Sequence, residues 1–265
     1  MDIDLNADLG EGYGAWRMGE DEALLDVISS ANVACGFHAG DPSIMTRTVR
    51  EAKLRGIDIG AHVGFPDRMG FGRRPMQIET GELASLVTYQ LGALAGIANA
   101  AGYRMTHMSF HGALGNLVAA DAALASPLLR AVADFDPHLI ISSSSSRAIE
   151  QAAGQCRLRV ATSFLADRAY DDEGLLVPRR LPDSVIHEPQ AVFDRVKRFL
   201  DHGYILTHSG KRLDMPARSI LVHGDTPGAV DLARSIRKEI ESGASHVVPM
   251  SQQLSLQESE PFKQT

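Results

Sequence analysis

Short apolar or alternating segments recur along the chain, separated by longer stretches of helical period. That alternation is the pattern of successive βα units around a parallel sheet. It predicts strands near 2–7, 31–37, 57–62, 104–111, 138–143, 157–162 and 219–223, with helices in the intervals. The clearest helix covers 41–55, where Asp41 suits the N-cap, Pro42 the first helical position and Gly56 a left-handed end. Another covers 80–101, with Leu83, Leu86, Val87, Leu91, Leu94 and Ile97 at spacings of three and four. A chain of 265 residues is long for one domain, yet parallel α/β barrels run to about 250 as one unit. The expected organisation is therefore a single α/β-barrel domain over 1–250, followed by a polar, aperiodic and disordered tail over 251–265.

Three stretches depart from simple alternation. Residues 63–77 are rich in Gly, Pro and Arg and too long for an ordinary connection, so they are expected to form a lid or binding loop. Residues 204–213, with Ser209-Gly210 at their centre, predict a β-hairpin before the last core strand. Residues 142–146 are serine-rich, but over five positions only.

Composition excludes several classes of function. With 44% apolar and 22% charged residues the chain has material for a core. Its formal charge of -7 and scattered Lys and Arg lack the basic stripe of a nucleic-acid binder. The alternating start of the chain predicts a strand rather than a secretory leader, and no run is expected to cross a membrane. Cys35 and Cys156 have no metal-type spacing and form no disulfide framework, so a reducing cytoplasm is the expected compartment.

The ionisable residues fall at the carboxyl ends of the predicted strands, which in a parallel barrel converge on one rim. Asn6, Asp8 and Glu11 follow the first strand, and His38 and Asp41 the second. His62 closes the third and His111 the fourth, while His223 and Asp225 follow the last. Imidazoles and carboxylates gathered there can move protons. They can equally hold a divalent metal, with Asp8, His62 and His111 as candidate ligands. Spacing does not choose between these, because no His-Glu-x-x-His helix is present. Each position also has a structural alternative. Asp8 and Glu11 can satisfy turn donors, His38 can be a satisfied rim residue, and Asp225 can belong to a helix start with Thr226 as N-cap and Pro227 at the first helical position. Arg73 and Arg74, or the amides after Asp225, are candidates to hold a substrate carboxylate. Cys35 reads as a small buried thiol. No G-x-S-x-G elbow and no G-x-x-x-x-G-K-S/T loop is present.

Several segments together resemble the LamB/YcsF family. They are Asp4-Leu-Asn-Ala-Asp-Leu-Gly-Glu-Gly, Ala34-Cys-Gly-Phe-His-Ala-Gly-Asp-Pro, Gly60-Ala-His, Gly70-Phe-Gly-Arg-Arg, His111-Gly-Ala-Leu, Ala166-Asp-Arg-Ala-Tyr, Val177-Pro-Arg-Arg and His223-Gly-Asp-Thr-Pro-Gly-Ala. The resemblance implies a modified TIM barrel, related in fold to glycoside hydrolases and polysaccharide deacetylases. It also implies one component of a multi-subunit enzyme that opens the lactam of 5-oxoproline to L-glutamate with ATP, alongside separate 5-oxoprolinase B and C subunits. Self-association stays open. In that scheme Asp8 or Glu11 is the general base, with His38, His223 and Asp225 in the catalytic group. His62 and His111 stabilise oxygen charge, and Asn6, Asp41, Arg73, Arg74 and Asn116 bind substrate. The family usually has Lys-Pro before His-Gly-Ala-Leu and Tyr-Asn after it, whereas this chain has Ser109-Phe110 and Gly115-Asn116. A lost strand-end cation points towards an altered-substrate or non-catalytic paralogue, and metal-dependent deacetylation of an amide or carbohydrate is a further alternative.

Overall fold

The computed structural model describes residues 2–226, 228–243 and 245–253. Its strands are β1 Asp2–Leu9, β2 Ser30–Ala34, β3 Asp58–Val63, β4 Met105–Phe110, β5 Ile140–Ser143, β6 Arg159–Leu165, β7 Tyr204–Leu206, β8 Arg212–Asp214, β9 Ser219–Val222 and β10 His246–Val247. Its helices are α1 Asp21–Leu25, α2 Pro42–Arg55, α3 Thr80–Ala100, α4 Gly112–Ala120, α5 Ala122–Phe135, α6 Arg147–Cys156, α7 Pro189–His202 and α8 Ala229–Ser242. Strands β1 to β6 and β9 pair in parallel, and β9 returns to β1 through Asp4 opposite Ser219 and Ala7 opposite Val222. The sheet closes on itself, so the expected barrel is what forms.

In β1 the apolar residues Ile3, Leu5, Ala7 and Leu9 alternate with Asp4, Asn6 and Asp8, and all of these are buried. Alternation usually marks a half-exposed strand. Here the apolar set joins the main hydrophobic core, and the polar set bonds to polar side chains of neighbouring strands. The deepest of these contacts surround Asp4, which accepts hydrogen bonds from Ser29, Ser30 and Ser219 at 2.8, 2.6 and 2.6 Å. One step towards the mouth, Asp8, Asn32, Gly60 and His107 lie in register across β1 to β4. Gly60 carries no side chain, and any Cβ there would strike the His107 ring. That gap lets His107 Nε2 reach Asn32 Oδ1 at 3.1 Å.

The predicted caps of α2 form as expected. Asp41 accepts from the amides of Ser43 and Ile44 at 2.8 and 2.9 Å, and Gly56 ends the helix at φ 67°. The hairpin also forms, as the antiparallel pair β7 and β8. Helix α3 forms over the predicted stretch, and only its match to a membrane span was not expected. It is apolar and long enough by length and composition to match a membrane span, and it buries Leu83, Val87, Leu91 and Leu94 in the core. The short strand β10, not foreseen, pairs with the first residues of β1. A helical turn follows it, in which the Ser251 amide donates to Asp58 at 2.9 Å. The tail expected to be disordered over 251–265 is therefore ordered through Gln253, because Ser251 is tied to Asp58, and its remainder lies outside the described residues.

Candidate active site

At the carboxyl ends of the strands lies a cavity of about 520 Å³ lined in part by Asp8, His62, Ser109, His111, Arg168 and His223. They come from five strands or the turns after them: Asp8 from β1, His62 from β3, Ser109 and His111 from β4 and its end, Arg168 from beyond β6, and His223 from beyond β9. Glu11 and His38, both buried, join this wall through the imidazoles. The long loop after β3 closes over the cluster. Gly72, at φ 62°, passes so close that a Cβ would sit 2.8 Å from both His111 and His38. Phe71 takes φ 53°, a conformation costly for a residue with a side chain, and its carbonyl lies 2.7 Å from His111 Nε2.

Those contacts set the tautomers. A carbonyl only accepts, so His111 carries its proton on Nε2 and offers Nδ1 as an acceptor. His62 Nε2 donates to that nitrogen at 2.9 Å. The Ser109 hydroxyl then donates to His62 Nδ1 at 2.7 Å. His38 stacks on His111 with ring centroids 3.7 Å apart, and its Nε2 is 3.2 Å from Glu11 Oε1. Burial, then the neighbouring rings, holds His38 and His111 well below the ordinary imidazole value, and burial above all brings His62 down to about 3. All three are neutral near pH 7. Burial, then the charge of Asp8, pushes Glu11 well above the usual carboxylate range.

One ligand atom from each of Glu11, His38, His62 and His111 falls within 4.8 Å of the others. Three neutral imidazoles and a carboxylate suit a divalent zinc, manganese or iron ion. The far nitrogen of His111 already donates to the Phe71 carbonyl, as such a ligand requires, and His62 would meet the same requirement by moving its proton to Nδ1 and donating to the Ser109 hydroxyl. The residues therefore fit a metal, though not the trio expected from sequence. Asp8 stands 3.6 Å from His62 Nε2, outside the converging set, and Glu11 and His38 take its place.

Asp8 belongs to a second arrangement. Its Oδ1 accepts from Asn32 at 2.9 Å, and its Oδ2 lies 3.9 Å from His223 Nε2. The other nitrogen of His223 is 2.7 Å from Asp167, which also accepts from Thr226. Burial would push Asp167 up, but His223 outweighs it and brings the carboxyl down to about 2. Burial alone would lower His223, and Asp167 reverses the sign and raises it. Burial raises Asp8 as well, despite the opposing charge of His223. Asp167 had no role assigned from sequence, because the predicted strand ended at 162 whereas β6 runs to Leu165. With the strand end placed correctly, the same carboxyl-end rule finds it.

Other expectations change. Asp41 is the half-buried cap of α2 and also accepts from the Gly14 amide, so it binds backbone rather than substrate. Arg74 is exposed and paired with Asp67, away from the cavity. Arg73 does line the cavity, and Asp225 binds it at 2.6 Å, so Asp225 serves as the partner of Arg73. Thr226 is not an N-cap: α8 starts at Ala229 after Gly228 at φ 76°. Asn6 lies in the barrel interior with its Oδ1 unpartnered, while Asn116 reaches the cavity rim. Cys35 is a buried thiol pushed by burial up to about 12, which removes it as a nucleophile. Gly115 and Phe110 are coupled, since a Cβ at 115 would meet the Phe110 carbonyl oxygen at 2.6 Å.

Fold and site define a closed parallel α/β barrel with a carboxylate–imidazole centre in its carboxyl-end mouth. The GH20 β-N-acetylhexosaminidase of Streptomyces coelicolor A3(2) has that fold, with TM-score 0.51 and 11% identity over 92% of this chain and 64% of that one. Within the class, the LamB/YcsF family model matches residues 3–255, and the chain belongs to that family. It is 68% identical to the first of the 5-oxoprolinase A subunits of Pseudomonas syringae pv. tomato, over 96% of this chain and 99% of that protein. It is 67% identical to the second of the 5-oxoprolinase A subunits of Ralstonia nicotianae, over 96% and 98%. The lactam utilization protein of Thermus thermophilus superposes with TM-score 0.87 at 37% identity, over 94% of this chain and all of that one.

Proposed function

We propose that the chain is the A subunit of a 5-oxoprolinase, opening 5-oxoproline to L-glutamate with ATP together with B and C subunits. The observation that carries the reading is the Asp8–His223–Asp167 arrangement, in a chain 68% identical to one component of that enzyme. Ring opening needs a bond from water oxygen to the carbonyl carbon, scission of the C–N bond, and a proton for the departing nitrogen. Asp8, whose raised pKa makes it a better base, is positioned to take the proton of water. His223, held charged by Asp167, is positioned to give one to nitrogen. His62 and His111 do not serve as free donors to the carbonyl oxygen, because their N–H groups are already engaged on His111 Nδ1 and the Phe71 carbonyl. A divalent ion held by Glu11, His38, His62 and His111 would supply Lewis-acid polarisation instead. ATP supplies the driving force for breaking a stable amide, and its site is assigned to the assembled enzyme. The two free, buried cysteines support a cytoplasmic setting.

The test is glutamate release from 5-oxoproline by the chain mixed with B and C subunits, with and without ATP. Turnover is expected only in the full mixture, and its absence from every combination would defeat the proposal. A second reading, metal-dependent hydrolysis of a small amide by the chain alone, is favoured by the four converging ligands. Stoichiometric zinc or manganese with ATP-independent turnover would select it.

A further inference from the structure

Arg73, Arg168 and Arg179 line the same cavity as Asp8 and His223. Arg73 is neutralised by Asp225. Arg168 is not: it is buried, and its Nε and Nη2 donate to the carbonyls of Ser184 and Val177 at 3.1 and 2.7 Å. Those acceptors hold the guanidinium plane without cancelling its charge. Arg179 is open to solvent and its guanidinium has no hydrogen-bond or ion-pair partner among the described residues. Burial, then Arg179, brings Arg168 down to about 10 against the weaker pull of Asp167. Like charges crowded on one cavity wall are a state that a bound anion relieves.

We infer that Arg168 and Arg179 form the subsite that holds the carboxylate of the lactam substrate. The inference rests on the lactam reading above and replaces Arg73 and Arg74 in that role. Both expected arginines already have carboxylate partners within the chain, whereas this pair does not. An arginine pinned by backbone carbonyls presents its remaining N–H groups in a fixed plane, which suits two-point recognition of a carboxylate. Anchoring the ring substituent there would fix the lactam carbonyl relative to Asp8 and His223, which share the cavity.

The test compares two ligands on the full chain by titration calorimetry: 5-oxoproline, and 2-pyrrolidinone, the same ring without the carboxylate. The wild type is expected to favour 5-oxoproline by roughly 10- to 100-fold, the usual scale for charge-assisted hydrogen bonds. Arg179→Gln should lose most of that preference and leave 2-pyrrolidinone binding unchanged, while Arg179→Lys keeps part of it. Preference intact in Arg179→Gln, or equal loss of both ligands, overturns the subsite alone. A wild-type chain that binds neither lactam, with or without B and C subunits, overturns the substrate reading and the subsite together. Inorganic phosphate is the remaining arm: displacement of phosphate but not of 5-oxoproline by Arg179→Gln would assign the arginines to a phosphoryl group and defeat the carboxylate assignment.

Discussion

Asp167 sets the charge of His223, and that coupling makes a sharp forecast. Because the folded pKa of His223 is raised, the charged form and the stability it contributes are fully present below about 6.5, and both are lost as pH rises through the folded value. In Asp167→Asn the larger of the two neighbouring negative charges is gone, and burial is expected to outweigh the remaining pull of Asp8, so that His223 becomes neutral at pH 7. Turnover should fall by roughly 100- to 10,000-fold with KM little changed, as expected for loss of a proton-transfer group or its orienting partner. The alkaline limb of the pH–rate profile should move to lower pH. An unmoved limb would show that Asp167 only braces the turn.

For individual elements, α2 gives a separable test. Asp41 accepts from Ser43, Ile44 and Gly14 amides and reaches no part of the cavity. Asp41→Ala should cost about 1–2 kcal/mol of stability, the usual scale for losing an N-cap, and leave KM for 5-oxoproline unchanged. Urea titration checks the first part and steady-state kinetics the second. A large rise in KM with stability unaltered would return Asp41 to the substrate site. Elements such as α2 were legible because cap, proline and terminal glycine all act within a few residues. The start of α8 was not, because Thr226 turns its hydroxyl to Asp167, a partner 59 residues away, instead of capping the helix.

Across the whole molecule, the barrel interior carries a polar layer whose protonation couples to folding. Burial brings His107 down to about 4. The unfolded chain takes that proton below about 6.5 and the folded chain does not. Stability from this site is therefore present above 6.5 and lost as pH falls towards 4, at about 1.4 kcal/mol per pH unit. Asp4, raised by burial to about 6, acts in the opposite sense, so the comparison must be between variants. His107→Gln should make the acid dependence shallower by about that slope between pH 6.5 and 4, measured by denaturant midpoints at several pH values. Equal slopes in both proteins would mean that His107 is charged in the fold.

The sequence alone determined the repeating βα order, the strand-end placement of Asp8, His38, His62, His111 and His223, and the local caps, because periodicity and turn chemistry act over short separations. Only tertiary structure decided which ionisable groups meet. Closure of β9 on β1 brings His223 near Asp8, and the loop after β3 folds Phe71 onto His111. The folded chain also decided that Arg73 is engaged by Asp225, 152 residues away, while Arg168 is held by backbone carbonyls and keeps its charge. The physical reason is that charge, tautomer and metal affinity depend on distances of a few ångströms, and closing the sheet sets those distances between residues that the chain itself keeps far apart.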